Sequence, residues 1–201
     1  MPTAAAVPAD GRAARAARTR EAIVDASLAL VEEGDLRPTA PRIAERAGVS
    51  VRSVFQHFDD LPSLHTAVIE RVVERLAQLV VSVDPRLGLE DRIAAFVAYR
   101  AALLEAVTPF RRAAAVHGPF APMLTDAVAQ GAAFMREQVA TTFGPELATR
   151  PTAERRRLLD ALAAVASWGT WDALRTEAGD SAEAARDVLV TLLRALLAPA
   201  A

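Results

Sequence analysis

A chain of 201 residues, 52% of them apolar, can bury a real core and has room for one domain or two small ones. It contains no cysteine, which excludes disulfides, thiol chemistry and cysteine metal sites. A net charge of −2 is not the footprint of a globally basic nucleic-acid binder, so the distribution of charge matters more than its sum.

Residues 1–17 are rich in alanine and proline and are read as a flexible arm. They lack the continuous apolar run of a signal peptide. Arg12, Arg15, Arg18 and Arg20 cluster on this arm and at the start of the first helix, with no acid until Glu21. Such arginines can add phosphate or minor-groove contacts, and an ordinary solubilising tail has the same composition. The first helix is expected to run to about residue 33, with Ile23, Ala26, Ala29 and Leu30 on its core face and Gly34 ending it. Every basic side chain other than histidine is arginine and alanine is abundant, a bias that fits a GC-rich bacterial genome.

Residues 43–58 read IAERAGVSVRSVFQHF, two short helical patterns joined by a glycine turn. Ile43, Ala44 and Ala47 give the first helix a small, apolar side. Gly48 stands where the chain must leave that helix with positive φ. Ser50 is a good N-cap for the next helix, and Val49 and Val54 have the spacing of a hydrophobic staple. Val54 and Phe58, four apart, share a buried face. Val51, Arg52, Ser53, Gln56 and His57 then point outward, a polar face that fits a DNA major groove. Arg52 can read guanine, Gln56 adenine and Val51 a thymine methyl. The same spacing also serves any tight helical hairpin in a bundle.

The segment from about residue 20 to 64 resembles the DNA-binding domain of the TetR/AcrR family of one-component regulators. The likeness is carried by Gly34, Thr39, Ile43, Ala44, Ala47, Gly48, Val49, Ser50, Phe55, His57 and Phe58, a dense set without gaps in the first third of the chain. The resemblance implies a homodimeric, operator-binding regulator, a repressor released by a small effector. Two departures stand out. Phe55 replaces the family's usual tyrosine, and Asp59, Asp60, Leu61 and Pro62 stand where a lysine usually opens the fourth helix. Asp60 suits the cap of that helix, but an aspartate repels phosphate. Phosphate anchoring is therefore expected from the arm, Thr39, Arg42 and His57. Base reading is expected from Val51, Arg52, Ser53 and Gln56, with Ser50 and Phe55 completing the DNA-facing set.

Beyond residue 61 the chain reads as long helices with proline or glycine breaks, and no β pattern appears. A helix over 62–81 carries Leu64, Val68, Val72, Leu76 and Leu79 and is long enough to bridge head and body. A second, 89–107, aligns Ile93, Phe96, Val97, Arg100 and Leu104. Thr108 and Pro109 are read as starting a short helix that stops near residue 118. Further helices are expected over 122–143 and 151–178, and a last one runs to about 198, with Asp180 and Glu183 resembling a capping box.

The expected fold is all-α: a three-helix helix-turn-helix head over 18–64 and a helical ligand-binding and dimerisation domain over 65–201. A wide apolar face on the last two helices suits a four-helix dimer interface built from Leu158, Leu162, Val165, Val188, Leu189, Leu192, Leu193 and Leu196, although plain intrachain core accounts for the same pattern. The effector is expected to be hydrophobic or aromatic. Its candidate contacts are Phe96, Tyr99, Arg100, Leu103, Phe110, His117, Phe120, Met123, Phe134, Trp168 and Trp171. Arg100 on an apolar face needs a carboxylate, from an acidic ligand or from Glu105.

No enzyme is expected. His57, His65 and His117 form no metal spacing, there is no G-x-S-x-G or phosphate-binding glycine loop, and Asp59–Asp60 and Glu32–Glu33 read as helix-end charges. No cofactor, metal or membrane partner is implied, since about eighteen apolar residues nowhere run uninterrupted. A cytoplasmic protein is expected. The alternative is a helical ligand-binding or interaction protein that has lost specific DNA binding.

Overall fold

Alanine has the highest intrinsic helix propensity, and it extends the first helix into the stretch expected to be a flexible arm. In the computed structural model, which describes residues 9–117 and 122–198, α1 spans Ala9–Glu32. Arg12, Arg15, Arg18 and Arg20 therefore lie on a helix, all exposed. Gly34, with φ 94°, turns the chain away from α1.

Three helices complete the head: α2 (Ala40–Ala47), α3 (Val51–His57) and α4 (Leu61–Ala77). Gly48 leaves α2 in the left-handed region, φ 68°, and its N–H closes onto the Ala44 and Glu45 carbonyls. Ser50 then caps α3, its hydroxyl accepting from the Ser53 N–H at 3.1 Å. Asp60 caps α4 in a capping box with Ser63, as its position predicts. α4 ends four residues short of the expected 81. Ile23, Leu28, Ile43, Val54, Phe58 and Leu64 form the head core. α1 buries a wider face than its predicted stripe: Val24, Ser27 and Leu28 are buried as well, Val24 and Leu28 within the head core, and α1 also packs on α5. Arg71 of α4 pairs with Glu21 and Asp25 of α1, and Arg75 pairs with Glu32 at 3.0 Å.

The body is built on α5 (Leu89–His117), which runs straight through Pro109 rather than restarting there. A proline lacks one backbone donor, but the apolar surface on both sides of α5 keeps the helix continuous: it packs against α1, α4, α6 (Pro122–Thr142), α9 (Trp168–Asp172) and α10 (Ala182–Leu197). The Thr108 hydroxyl donates to the Leu104 carbonyl at 2.7 Å in the same turn. By length and composition, Leu89–Val116 could cross a membrane; here 44% of an 18-residue apolar stretch within it is buried inside the fold. Short α7 (Gly144–Ala148) follows α6.

The expected single helix over 151–178 is broken. α8 (Thr152–Val165) stops at Ala166, Ser167 caps α9 by accepting from the Thr170 N–H, and a π-helical turn covers Ala173–Glu177. Gly179, φ 74°, resets the chain. Ser181, not Asp180, caps α10, its hydroxyl accepting from the Ala184 N–H at 3.1 Å. The body core holds Phe96, Leu104, Val139, Phe143, Leu162, Trp171, Leu189 and Leu193. Phe96 meets Tyr99 and Phe143 edge-on, at 5.4 and 5.2 Å between ring centroids.

Arg92 ties the start of α5 to α7. Its side chain is 5% exposed, it donates to Glu146 at 2.7 Å and to the Thr142 carbonyl at 3.0 Å, and Glu146 is 20% exposed. The Arg92 hydrogen bond holds the Glu146 carboxyl below its ordinary pKa. Glu146→Ala should cost about 3 kcal/mol at neutral pH, because it leaves a buried guanidinium without its counter-charge. A depressed carboxylate pKa stabilises the fold fully above the unfolded value, about 4.3, and that stability fades as pH falls through the folded value. Urea unfolding at pH 7 and pH 3 should therefore show the gap between wild type and variant shrinking in acid. Gly48→Ala puts a Cβ in the left-handed region and should cost about 1 kcal/mol, with Gly48→Asn milder, in the same measurement.

Candidate nucleic-acid interface

α3 is held by one face and free on the other. Val54 is 1% and Phe58 4% exposed, and both enter the head core. The Arg20 guanidinium lies over the Phe58 ring, 4.9 Å from its centroid. With that face fixed, Val51, Arg52 and Gln56 project outward, exposed, from the first two turns, and Ser53 is half-buried beside them. Val51 is 39% and Phe55 48% exposed. Both are large apolar side chains with no core to enter, which suits contact with a base methyl or a sugar. His57, half-buried, lies in the last turn.

The flanking residues share this surface. Thr39 is the N-cap residue of α2, exposed, and its hydroxyl makes no capping hydrogen bond. Arg42, 58% exposed, touches the largely buried Asp35 carboxylate at 2.6 Å, so one guanidinium edge is anchored and the rest faces solvent. Arg46 pairs with Glu33 at 2.8 Å and braces α2 on the end of α1. Asp60 spends its carboxylate on the Ser63 N–H at 2.8 Å, while Asp59 stays exposed. The sequence missed the bracing roles of Arg20, Arg46 and Arg71: their partners lie 13 to 50 residues away in the chain, or on an aromatic face, which no local spacing reveals.

The ligand residues expected in the body scatter. Phe96, Tyr99, Arg100, Leu103 and Trp171 are buried core, and Phe134 is 42% exposed. Phe110 packs on the head core instead. The Met123 sulfur accepts from the Thr66 hydroxyl of α4 at 3.3 Å. Phe120 and the side chain of His117 lie outside the described residues. Arg100 is fully buried, with no carboxylate partner among the described residues. It donates to the Met135 carbonyl at 3.2 Å and to its sulfur at 2.8 Å, with the Phe96 ring 4.6 Å away, while its Nε has no partner. Burial pushes its pKa below the ordinary arginine value. Glu105 is not its partner: that carboxylate accepts from Trp171 Nε1 at 2.9 Å and from Arg175 at 2.7 Å.

A cavity of about 160 Å³ does open between α5, α6 and α9, lined by Arg111, Ala114, Ala115, Leu124, Thr125, Val128 and Trp168. Of the expected ligand residues it contains Trp168. The sequence signal for the rest was faint, an arginine followed at three and four residues by alanines. Among the expected dimer residues, Leu162, Leu189 and Leu193 are buried within the chain and do not face outward. Leu192 is 39% exposed, and Leu158, Val165, Val188 and Leu196 are half-buried. Among the described residues, no group of three or more His, Cys, Asp or Glu could hold a metal ion.

Comparison with known proteins bears on the same head. Residues 23–60 match the family described as "Bacterial regulatory proteins, tetR family". Comparison with curated proteins finds no match. Among solved structures, a transcriptional regulator from Rhodococcus sp. Rha1 superposes with a TM-score of 0.60 at 19% identity, over 90% of this chain and 95% of that one. A Mesorhizobium loti MAFF303099 protein assigned to the TetR family of transcriptional regulators gives 0.64 at 19% identity, over 91% and 96%. At that identity the likeness is one of fold. Residues 23–60 of this chain, its helix-turn-helix head, are thus similar to the tetR-family model, and the all-helical chain shares the fold of these two regulators.

Proposed function

We propose that the protein is a homodimeric repressor that reads a near-palindromic operator and is released by a small hydrophobic effector. The observation that carries this is the unengaged outer face of α3: Val51, Arg52 and Gln56 are exposed while Val54 and Phe58 lock the helix from behind. On this reading Arg52 and Gln56 meet base edges, with Val51, Ser53 and Phe55 beside them, and Thr39, Arg42, Ser50 and His57 meet phosphates. The engagement of Asp60 as a helix cap weighs against reading the aspartates as a sign of lost DNA binding. Residues 18–64 form the DNA-binding domain and 65–201 the ligand-binding and dimerisation domain. The protein works in the cytoplasm, without catalysis.

One head gives little specificity, and two-fold symmetry supplies a second half-site about 34 Å away. The outward-facing remainder of the α8 and α10 face, Leu158, Val165, Val188, Leu192 and Leu196, is the natural contact for a second copy. Effector binding needs only to favour a state with the wrong head spacing, with a coupling of about 1–3 kcal/mol.

Selection of binding sites from random duplex DNA, followed by salt titration, tests the reading. An enriched palindrome with steep salt dependence is expected; failure to enrich any sequence would sink it. Arg52→Ala should cost about 1–3 kcal/mol and relax preference at one operator position, whereas a uniform loss across sequences would make Arg52 a phosphate contact. In sedimentation, Leu192→Glu should shift the dimer to monomer, and an unchanged dimer would place the interface elsewhere.

A further inference from the structure

We infer that the cavity between α5, α6 and α9 is a binding site for a single-ring aromatic carboxylate, with Arg111 as its anion anchor. Three observations carry this. First, the size: the recess is about 160 Å³ and half open to solvent, room for one aromatic ring with its polar edge toward water, since cavities of about 150 Å³ hold benzene. Second, the walls: Ala114, Leu124 and Val128 give apolar surface, and the Trp168 indole gives a flat one. The indole is fixed, because its Nε1 donates to the Thr108 hydroxyl at 3.2 Å. Third, the charge: the Arg111 guanidinium lies on Trp168, 4.9 Å from the ring, half-buried and without an ion pair among the described residues. Its neighbour Arg112 does have one, with Asp172 at 2.7 Å. Burial alone pushes the Arg111 pKa below its ordinary value, so the cation is partly stripped of water and uncompensated. A carboxylate on the ring edge meets that guanidinium in charge-assisted hydrogen bonds, while a neutral ring of the same size does not.

The site also adjoins the head. Phe110, next to Arg111, packs into the head core, and Met123, next to Leu124, receives the Thr66 hydroxyl of α4. Two of the three helices that wall the cavity, α5 and α6, thus present adjacent residues to the head. A ligand that parts α5 from α6 acts on α1 and α4 through Phe110 and Met123. This coupling rests on the regulatory reading above; the site itself does not.

The test uses the full chain and two probes, benzoate and its neutral analogue benzamide, followed by tryptophan fluorescence and calorimetry. Benzoate should saturate, with benzamide weaker by about tenfold or more. Arg111→Gln should bind both alike. Ala114→Leu, which fills the cavity, should lose both, and Val128→Met serves the same purpose if Ala114→Leu does not fold by circular dichroism. Equal binding of the two probes by wild type, a preference that survives Arg111→Gln, undiminished binding in a filled variant, or no saturable benzoate signal would each overturn the assignment. Binding of the selected operator is measured with and without benzoate. Benzoate should change operator affinity in wild type and not in the filled variant, and bound benzoate without that change overturns the coupling. Operator binding by probe-free protein reports on the regulatory reading alone, so its failure is distinct from failure of the site.

Discussion

A helix of seven residues does not hold itself together in water; isolated helices below about twelve residues are marginal even with favourable sequences. α3 has that length. Its existence depends on the burial of Val54 and Phe58, and the rest of the head is arranged to provide that burial. Gly48 supplies the one backbone conformation that brings α3 back across α2. Ser50 satisfies an N-terminal donor, and Arg20 closes over Phe58 from α1. Because the anchoring falls to two residues on one face, the other face is left to solvent and to function. That division explains how a polar, exposed helix face is presented with a fixed orientation, which is what a rigid groove requires.

The same logic extends to the joint between head and body. α1 belongs to both: it packs on α2, α3 and α4 on one side and on α5 on the other. Phe110 of α5, half-buried, packs against the head core, so no clean apolar boundary separates the two units. A flexible tether would let the body move without consequence for α3. Here a displacement of the C-terminal half of α5 bears on the same side-chain cluster that holds α3 through Val54 and Phe58. Such packed joints move between discrete arrangements rather than deforming smoothly, which is the physical requirement for a switch.

The head was legible in the sequence because its rules are local. Gly48, Ser50, Asp60 and the Val54–Phe58 pair act within four residues of themselves, and each has the role its spacing predicts. The body was less legible because its determinants are not. Pro109 reads as a helix boundary, yet the packing of α5 on five neighbours overrides it. The break at Ser167 lies in a stretch with no glycine or proline before it to announce a turn. The aromatics of α5 have the spacing of both a cavity lining and a core, and only tertiary placement shows Phe96 and Trp171 to be core. For the same reason Leu162, Leu189 and Leu193 read as interface and are intrachain packing.

Three arginines of the body illustrate what the interior demands. Arg92 is buried and compensated by Glu146, so it is structural. Arg100 is buried and uncompensated, and it is accommodated by a carbonyl, a sulfur and two aromatic faces rather than by an opposite charge. That arrangement leaves no space beside it for a ligand, since the Met135 and Phe96 contacts already surround the guanidinium. Arg111 differs from both: it is half-buried, stacked on one tryptophan, and it borders empty volume. Partial desolvation raises the strength of any hydrogen bond it makes, and the cation–π contact keeps the guanidinium beside the indole. Of the three, only Arg111 combines a weakened hydration shell with room for a partner, so on the proposed reading a ligand meets not the most buried arginine but the one that still borders open volume.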